Sequence, residues 1–351
     1  MRSSLLRSVA LRGFAGLLLA TTAGAGVTSP TPTAVAQTND RSALAECLSE
    51  RQSLSVLFLV DTSQSLSGTD PASQRVDGLR SAYGTLVSIA STPTDEGGQV
   101  PDVFVDFADF GTTTRRSFAE RTPWASAGEA DDVERIANFA RRNRSQDTDY
   151  VAALEPWVDF DAPDRPSDVV GALEILDQAP ADSCRSLVWF TDGQFDIDFQ
   201  GDAKLLNWID PPFEVSSESS EAQAELRGID RLCRVGGLAD RLRSGTISDG
   251  EGVYVTVVAL GDSANFDLIR SIVAGTGSVS CGAEAPRGEV LDADSLGELI
   301  YTLTVGANPQ SSVVPDNAIP TCKPASGDGT LASCELAFQL APTISRVLKN
   351  L

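Results

Sequence analysis

Apolar residues in this chain are concentrated in a few uninterrupted runs that alternate with amphipathic stretches. The runs over 54–60, 186–191 and 253–260 are typical of strands that are buried on both faces of a parallel sheet. A weaker strand is expected at 287–291. Apolar residues at helical spacing predict helices at 75–91, 130–143, 167–178, 218–243, 265–274 and 293–305. Strands and helices that alternate in this way predict a doubly wound α/β fold, with a mostly parallel sheet and helices on both faces.

Two local features add detail to this prediction. Residues 103–110 and 115–119 have the pattern of two strands, and the glycine and threonines between them predict a hairpin. Ser167 stands at the start of the helical pattern over 167–178 and is expected to cap that helix.

The first 36 residues have the composition of an export signal. Several arginines precede a short apolar run at 14–23, and Ala34 and Ala36 supply small residues at the two positions that a signal peptidase reads. We therefore expect cleavage before Gln37, with a polar lead-in over 37–53. The alternative is an N-terminal anchor that is not cleaved, although the apolar run is short for a membrane span.

The main domain is expected over 54–305, where strands and helices alternate. A polar, proline-rich stretch at 306–320 follows and is predicted to be a linker. The extension over 321–351 is too small to bury a core of its own. It either packs on the main domain or begins a small β-domain. Association with a membrane is expected only through an anchor that this sequence does not contain.

Composition excludes several classes of function. Acidic residues outnumber basic ones by 49 to 27, which gives a formal net charge of −22. Such a surface repels nucleic acid and anionic lipid, so neither is expected as a partner. The chain also contains no histidine. This excludes Ser-His-Asp and Cys-His catalysis and most catalytic zinc sites.

The chain has six cysteines, at Cys47, Cys184, Cys233, Cys281, Cys322 and Cys334. An even number in an exported chain predicts three disulfides, and the spacing contains no Cys-x-x-Cys pair that would suggest zinc. Sequence alone allows fifteen ways of pairing six cysteines.

Oxygen-bearing side chains follow the buried strands at the points where ligands bind in a doubly wound sheet. Asp61, Ser63 and Ser65 come directly after the first apolar run, Asp192 follows the run over 186–191, and a loop between them contributes Thr148. Carboxylates and hydroxyls are the ligands that hard divalent cations prefer, and Mg²⁺ tends to keep some of its waters. These five residues therefore predict a site for Mg²⁺, with Mn²⁺ or Ca²⁺ as alternatives. An open coordination position would accept a carboxylate from a protein partner.

This pattern resembles the metal-ion-dependent adhesion site of von Willebrand factor A (VWA) domains, of the secreted actinobacterial type. The family motif has Asp-x-Ser-x-Ser after the first strand, as at 61–65, and an Asp in a Thr-Asp-Gly turn, as at Asp192. Its middle threonine corresponds to Thr148, which is followed by Asp149, Tyr150, and then Ala153 and Leu154. The resemblance covers about residues 50–305. It implies a VWA fold and a secreted or surface-associated protein without enzymatic activity, which binds a protein partner through the metal.

The sheet order of VWA domains places the first and fourth strands side by side, which implies a Cys47–Cys184 disulfide. Cys322 and Cys334 lie close together in sequence, and a bridge between them would leave Cys233 to pair with Cys281.

Other residues support weaker hypotheses. Trp208, in the loop that follows Asp192, and Asp149 are candidates for contact with the partner. Asp196, Asp198 and Asp202 lie in the same loop and suggest a second cation site, but the bidentate glutamate of a calcium loop is missing. Two alternatives to a binding module stay open. One is a metal-assisted hydrolase with Asp192 or Asp149 as its base, and the other is a structural component of the cell envelope with a vestigial metal site.

Overall fold

The computed structural model describes residues 41–91, 100–116, 124–127, 137–138, 140–141, 147–155, 169–193, 195–199, 203–209, 211–244, 252–261 and 266–292. The proposed signal at 1–36, the predicted helix at 293–305, the linker and the C-terminal extension lie outside the described residues. The same is true of Cys322, Cys334 and Asp202.

The core of the fold is a mostly parallel, seven-stranded sheet. The strands among the described residues are β1 (Ser53–Asp61), β2 (Asp102–Phe110), β3 (Arg115–Arg116), β4 (Ala125–Ser126), β5 (Cys184–Thr191), β6 (Lys204–Leu206), β7 (Phe213–Val215), β8 (Tyr254–Ala259) and β9 (Gly288–Asp292). The sheet order is β3-β2-β1-β5-β8-β9, with β4 also paired to β2. All pairs between β1, β2, β5, β8 and β9 are parallel, whereas β3 and β4 run antiparallel to β2. The β6 and β7 strands form a separate antiparallel hairpin.

In the described part of the chain we number the helices α1 (Arg41–Arg51), α2 (Leu66–Thr69), α3 (Gln74–Ile89), α4 (Tyr150–Leu154), α5 (Ala172–Asp177), α6 (Glu218–Cys233), α7 (Leu238–Ser244) and α8 (Asp267–Val273). Among the described residues, none of these helices combines the length and the apolar character that a membrane span requires.

Two hydrophobic cores lie on opposite faces of the sheet. Along β1, alternate side chains point to opposite faces, so that Leu57 and Leu59 join one core while Val56, Phe58 and Val60 join the other. Helices α1 and α3 cover the second face, and α4 to α8 cover the first. The predicted doubly wound fold is therefore confirmed.

The chain changes direction across the sheet at β1. From β1 it passes to β2 on one side and then crosses to β5 on the other side, so the switch point lies between β1 and β5. Doubly wound sheets bind ligands in the crevice at the carboxyl ends of the strands at this point. Those ends are Asp61 of β1 and Thr191 of β5.

Three local predictions differ from the structure. The helix predicted over 218–243 is two helices, because the chain turns at Gly236 with a φ of 72°, a conformation that favours glycine. The helix predicted from Ser167 begins only at Ala172. Val169, three residues before the helix, instead forms an antiparallel bridge with Arg115, which keeps the chain extended there. The predicted lead-in contains helix α1, whose spacing of apolar residues is too irregular to be recognised.

Two disulfides connect these layers, and both are pairs that the sequence analysis predicted. Cys47–Cys184 joins α1 to the first residue of β5, and β5 pairs with β1 as the resemblance implied. Cys233–Cys281 joins the end of α6 to the chain that precedes β9.

Candidate metal centre

The turn after β1 is organised by the carboxylate of Asp61, which is fully buried. The Ser63 N–H donates to Asp61 Oδ1 at 2.8 Å, and this contact closes the turn locally. The turn brings the hydroxyls of Ser63 and Ser65 within 2.8 Å of each other. Ser63 is buried and Ser65 is half-buried, so the group of oxygens extends from the interior to the surface.

Asp192 follows β5 directly and lies at the same edge of the sheet. Its Oδ2 accepts a hydrogen bond from the Thr69 hydroxyl at 3.0 Å, which ties it to helix α2 behind the Ser63–Ser65 turn. Its Oδ1 is buried and has no hydrogen-bond partner in the described part of the chain. An unsatisfied buried carboxylate oxygen is costly, so this atom is suited to accept a ligand such as a cation.

The two carboxylates affect each other. Burial and, secondarily, the negative charge of Asp192 raise the pKa of Asp61 to about 7, although hydrogen bonds from Ser63 and Thr191 oppose the shift. Neither carboxylate has an ion-pair partner among the described residues. Two buried, mutually repelling carboxylates next to two hydroxyls fit a hard divalent cation, which would neutralise them and satisfy the free oxygen.

The third predicted loop lies beside these two. Thr148 is buried, and the N–H of the next residue donates to Gly111 O at the end of β2, at 3.2 Å. Two residues after Thr148, the Tyr150 hydroxyl lies 3.0 Å from the hydroxyl of Thr191. These contacts place the Thr148 loop at the carboxyl edge of the sheet, next to the ends of both β2 and β5.

Three residues that support this arrangement were not identified from the sequence. Thr191 donates its hydroxyl proton to Asp61 Oδ2 at 2.8 Å, and Tyr150 contacts Thr191 in turn. Thr69 holds Asp192 as described above. Thr191 could have been found from its position directly before Asp192, but no local signal connects Thr69 with Asp192, which lies 123 residues away.

The structure places the two predicted partner contacts in the interior. Trp208 is 2% exposed and Asp149 is 1% exposed. The Trp208 indole N–H donates to Asp149 Oδ2 at 2.8 Å, and Asp149 Oδ1 caps helix α4 by accepting from Ala152 N at 2.9 Å. Burial raises the pKa of Asp149 to about 7. Because both side chains are buried against each other, they support the Thr148 loop and are not placed to contact a partner.

Of the residues predicted for a second cation site, only Asp196 lies in a cluster of carboxylates in the described part of the chain. Carboxylate oxygens of Asp196, Glu221 and Glu225 lie within 4.8 Å of one another. Burial and the charge of Glu225 raise the pKa of Asp196 to about 6. Asp198 is not a member of this group, and its backbone N–H instead donates to Asp147.

The fold and this edge define the chain as a doubly wound α/β protein with an oxygen-lined crevice at its switch point. No protein-family model matches the sequence, and no curated protein matches it. Among solved structures, a variant of the minor pilin PilB from Streptococcus sanguinis aligns at 13% identity, over 73% of this chain and 62% of that one, with a TM-score of 0.38. A von Willebrand factor type A protein from Catenulispora acidiphila aligns at 11% identity, over 73% and 42%, with a TM-score of 0.33. Manganese-loaded TRAP protein from Plasmodium vivax aligns at 10% identity, over 74% of each chain, with a TM-score of 0.35. The chain thus spans less than two thirds of the length of the first of these proteins.

Proposed function

We propose that this chain is an exported VWA-type binding module, which holds a divalent cation and uses it to grip a protein partner. The cation ligands would be Asp61, Ser63, Ser65, Thr148 and Asp192. The observation that carries the proposal is the buried Oδ1 of Asp192, which has no hydrogen-bond partner among the described residues and lies at the same edge of the sheet as a second buried carboxylate.

The donor set favours a hard cation. All five proposed ligands offer oxygen, and the chain contains no histidine that could add nitrogen. Mg²⁺ is the first candidate because it binds few carboxylates and keeps waters, and Mn²⁺ or Ca²⁺ are the alternatives.

The residues around the crevice hold its ligands in place before a cation arrives. Asp61 is oriented by the Ser63 N–H and the Thr191 hydroxyl, and Asp192 is oriented by Thr69. Ser65 and Thr69 are half-buried, so the crevice reaches solvent on their side. A bound cation supplies a positive charge at this opening, where a partner's carboxylate would otherwise meet only negative charge.

The rest of the chain is consistent with an extracellular binding module. Two disulfides join its layers, and disulfides persist in oxidising compartments. The proposed partner is a protein that presents a carboxylate, since the net charge of −22 disfavours nucleic acid and anionic lipid. The alternative of a hydrolase receives no support from Asp149, because both of its carboxylate oxygens already accept hydrogen bonds.

Calorimetric titration with Mg²⁺, Mn²⁺ and Ca²⁺ tests the cation site. We expect one site in the wild-type chain and no binding in Asp192→Ala. The matched control is Asp77→Ala on α3, whose carboxylate is 79% exposed, and which should bind like the wild type. A wild-type chain that binds none of the three cations would refute the proposal.

A carboxylate probe tests the open coordination position. In the Mn²⁺-loaded protein, acetate should show broadened methyl resonances that EDTA restores, and neutral acetamide of similar shape should not. Equal behaviour of acetate and acetamide would exclude a position that accepts carboxylates, even where the cation itself binds.

A further inference from the structure

The segment between β5 and α6 contacts each residue of the Thr148 loop. We call residues 195–199 and 203–209 the clamp segment. Asp147 Oδ1 accepts from Lys204 Nζ at 2.5 Å and from the Asp198 N–H at 2.9 Å. The backbone of Thr148 exchanges two hydrogen bonds with Asp196, at 3.0 and 3.2 Å.

The third residue of the loop is held in the same way. Asp149 Oδ2 accepts from the indole N–H of Trp208 at 2.8 Å. Thr148, the proposed ligand, is therefore flanked by two carboxylates, and each of them accepts a hydrogen bond from the clamp segment. Both carboxylates are buried, Asp147 at 2% and Asp149 at 1% exposure.

The clamp segment is itself fixed to helix α6. A Cβ atom added at Gly228 of α6 would lie 2.4 Å from the ring of Phe195, so the helix and this ring are in close contact. The N–H of Phe199 donates to Glu221 Oε2 on the same helix at 3.1 Å. The Phe195 ring also packs on Tyr150, with the centroids 5.7 Å apart. The clamp segment thus connects the Thr148 loop to a helix that contributes no proposed ligand.

We propose that Lys204 and Trp208 are positioning residues, which set the affinity of the cation site by holding Thr148 in place. The proposal rests on the function proposed above. A buried carboxylate that loses its donor must be solvated in another way, so the loop would move towards water and take Thr148 with it. Groups that orient metal ligands without touching the metal commonly change metal affinity by about 10–100-fold when they are removed.

Two substitutions and two controls separate this role from general packing. Trp208→Phe removes the indole donor to Asp149 Oδ2, and Lys204→Met removes the ammonium donor to Asp147, which keeps the Asp198 N–H. The first control is Trp189→Phe, which makes the same change at a buried tryptophan whose indole nitrogen has no partner among the described residues. The second is Leu205→Ala, next to Lys204 on β6, where the side chain is 55% exposed. The dissociation constant for Mg²⁺, measured by calorimetry, should rise about 10-fold or more for the two test variants. The controls should stay within about twofold of the wild type.

A double-mutant cycle gives a readout that a purely structural role would not produce. If Trp208 acts through Thr148, then Trp208→Phe should weaken Mg²⁺ binding much less in a Thr148→Val background than in the wild type. Additive losses would show that Trp208 does not act through Thr148. Lys204 is 23% exposed, so Lys204→Met carries the test if Trp208→Phe fails to fold.

The outcomes distinguish the two proposals. Absence of binding of Mg²⁺, Mn²⁺ and Ca²⁺ by the wild-type chain overturns both the proposed function and the role of the clamp segment. Wild-type binding that is unchanged in Trp208→Phe and Lys204→Met overturns only the latter.

Discussion

Replacing Asp61 with asparagine should stabilise the cation-free protein and abolish its response to the cation. The Asp61 carboxylate is fully buried, and its pKa is raised to about 7 by burial and by the charge of Asp192. At pH 8 most Asp61 side chains are therefore ionised in surroundings that disfavour the charge. The rise above an ordinary pKa near 4 means that this charge destabilises the folded state by an amount on the order of a few kcal/mol, at about 1.4 kcal/mol per pKa unit.

Asparagine recovers only part of this free energy. Asp61 accepts hydrogen bonds from Ser63 and Thr191, and an amide can accept only one of them. Loss of one hydrogen bond to a charged group costs about 2 kcal/mol. The free energy of unfolding of Asp61→Asn in EDTA should thus exceed that of the wild type by about 2 kcal/mol at pH 8. With Mg²⁺ at about 1,000 times its Kd the wild type gains about 4 kcal/mol, and the variant should gain nothing.

Urea unfolding followed by tryptophan fluorescence, in EDTA and in Mg²⁺, measures both effects. The expected order of stability reverses when the cation is added. Asp77→Asn is the control, because its exposed carboxylate forms a surface ion pair with Arg80, and its loss should change the stability by less than about 1 kcal/mol. A variant that is less stable than the wild type in EDTA would refute the argument from buried repulsion. A variant that keeps its response to Mg²⁺ would show that Asp61 is not a ligand.

Three further predictions concern the frame around the site. Gly228→Ala should lower the free energy of unfolding by about 1–3 kcal/mol in urea titrations, because its new methyl group would lie 2.4 Å from the ring of Phe195. Replacing both Cys47 and Cys184 with alanine should lower the free energy of unfolding by about 5 kcal/mol, since the bridge closes a loop of 137 residues. It should leave the Kd for Mg²⁺ unchanged, because Cys184 lies at the end of β5 opposite to the site. The stabilisation by Asp240, measured as the difference from Asp240→Asn, should be complete above pH 4–5 and should disappear as the pH falls. Burial alone would raise the pKa of Asp240, but hydrogen bonds from backbone N–H groups outweigh it and lower this pKa below its usual value.

Each of these predictions has a contrasting outcome. Gly84→Ala, in helix α3 with no atom within 4 Å of the new Cβ, should instead stabilise the protein by about 1 kcal/mol. Equal effects at Gly84 and Gly228 would contradict the packing argument. A change in Mg²⁺ affinity on loss of the Cys47–Cys184 bridge would mean that the two ends of the sheet are coupled. A stabilisation by Asp240 that grows as the pH falls below 4 would mean that the pKa of this carboxyl is raised.

Sequence was sufficient to predict the elements that place the proposed ligands. The central strands β1, β5 and β8 were predicted because continuous apolar runs of this length suit strands buried on both faces. Asp61 and Asp192 could be assigned to one edge of the sheet because parallel strands end on the same side. Predictions were wrong where local signals compete with tertiary contacts. The helix predicted to begin at Ser167 begins only at Ala172, because the bridge between Val169 and Arg115 keeps the chain before it extended.

The side chains that hold these ligands could be identified only from the folded structure. Trp208 and Asp149 are 59 residues apart, and Thr69 and Asp192 are 123 apart. Hydrophobic periodicity indicates which face of an element is buried, but it does not indicate which distant group a buried polar atom will meet. Trp208 was therefore expected at a surface, whereas packing of the chain after β5 against α6 brings its N–H to a buried carboxylate. Such pairings depend on how loops from separate strands pack together, and that information is not contained in any local stretch of the chain.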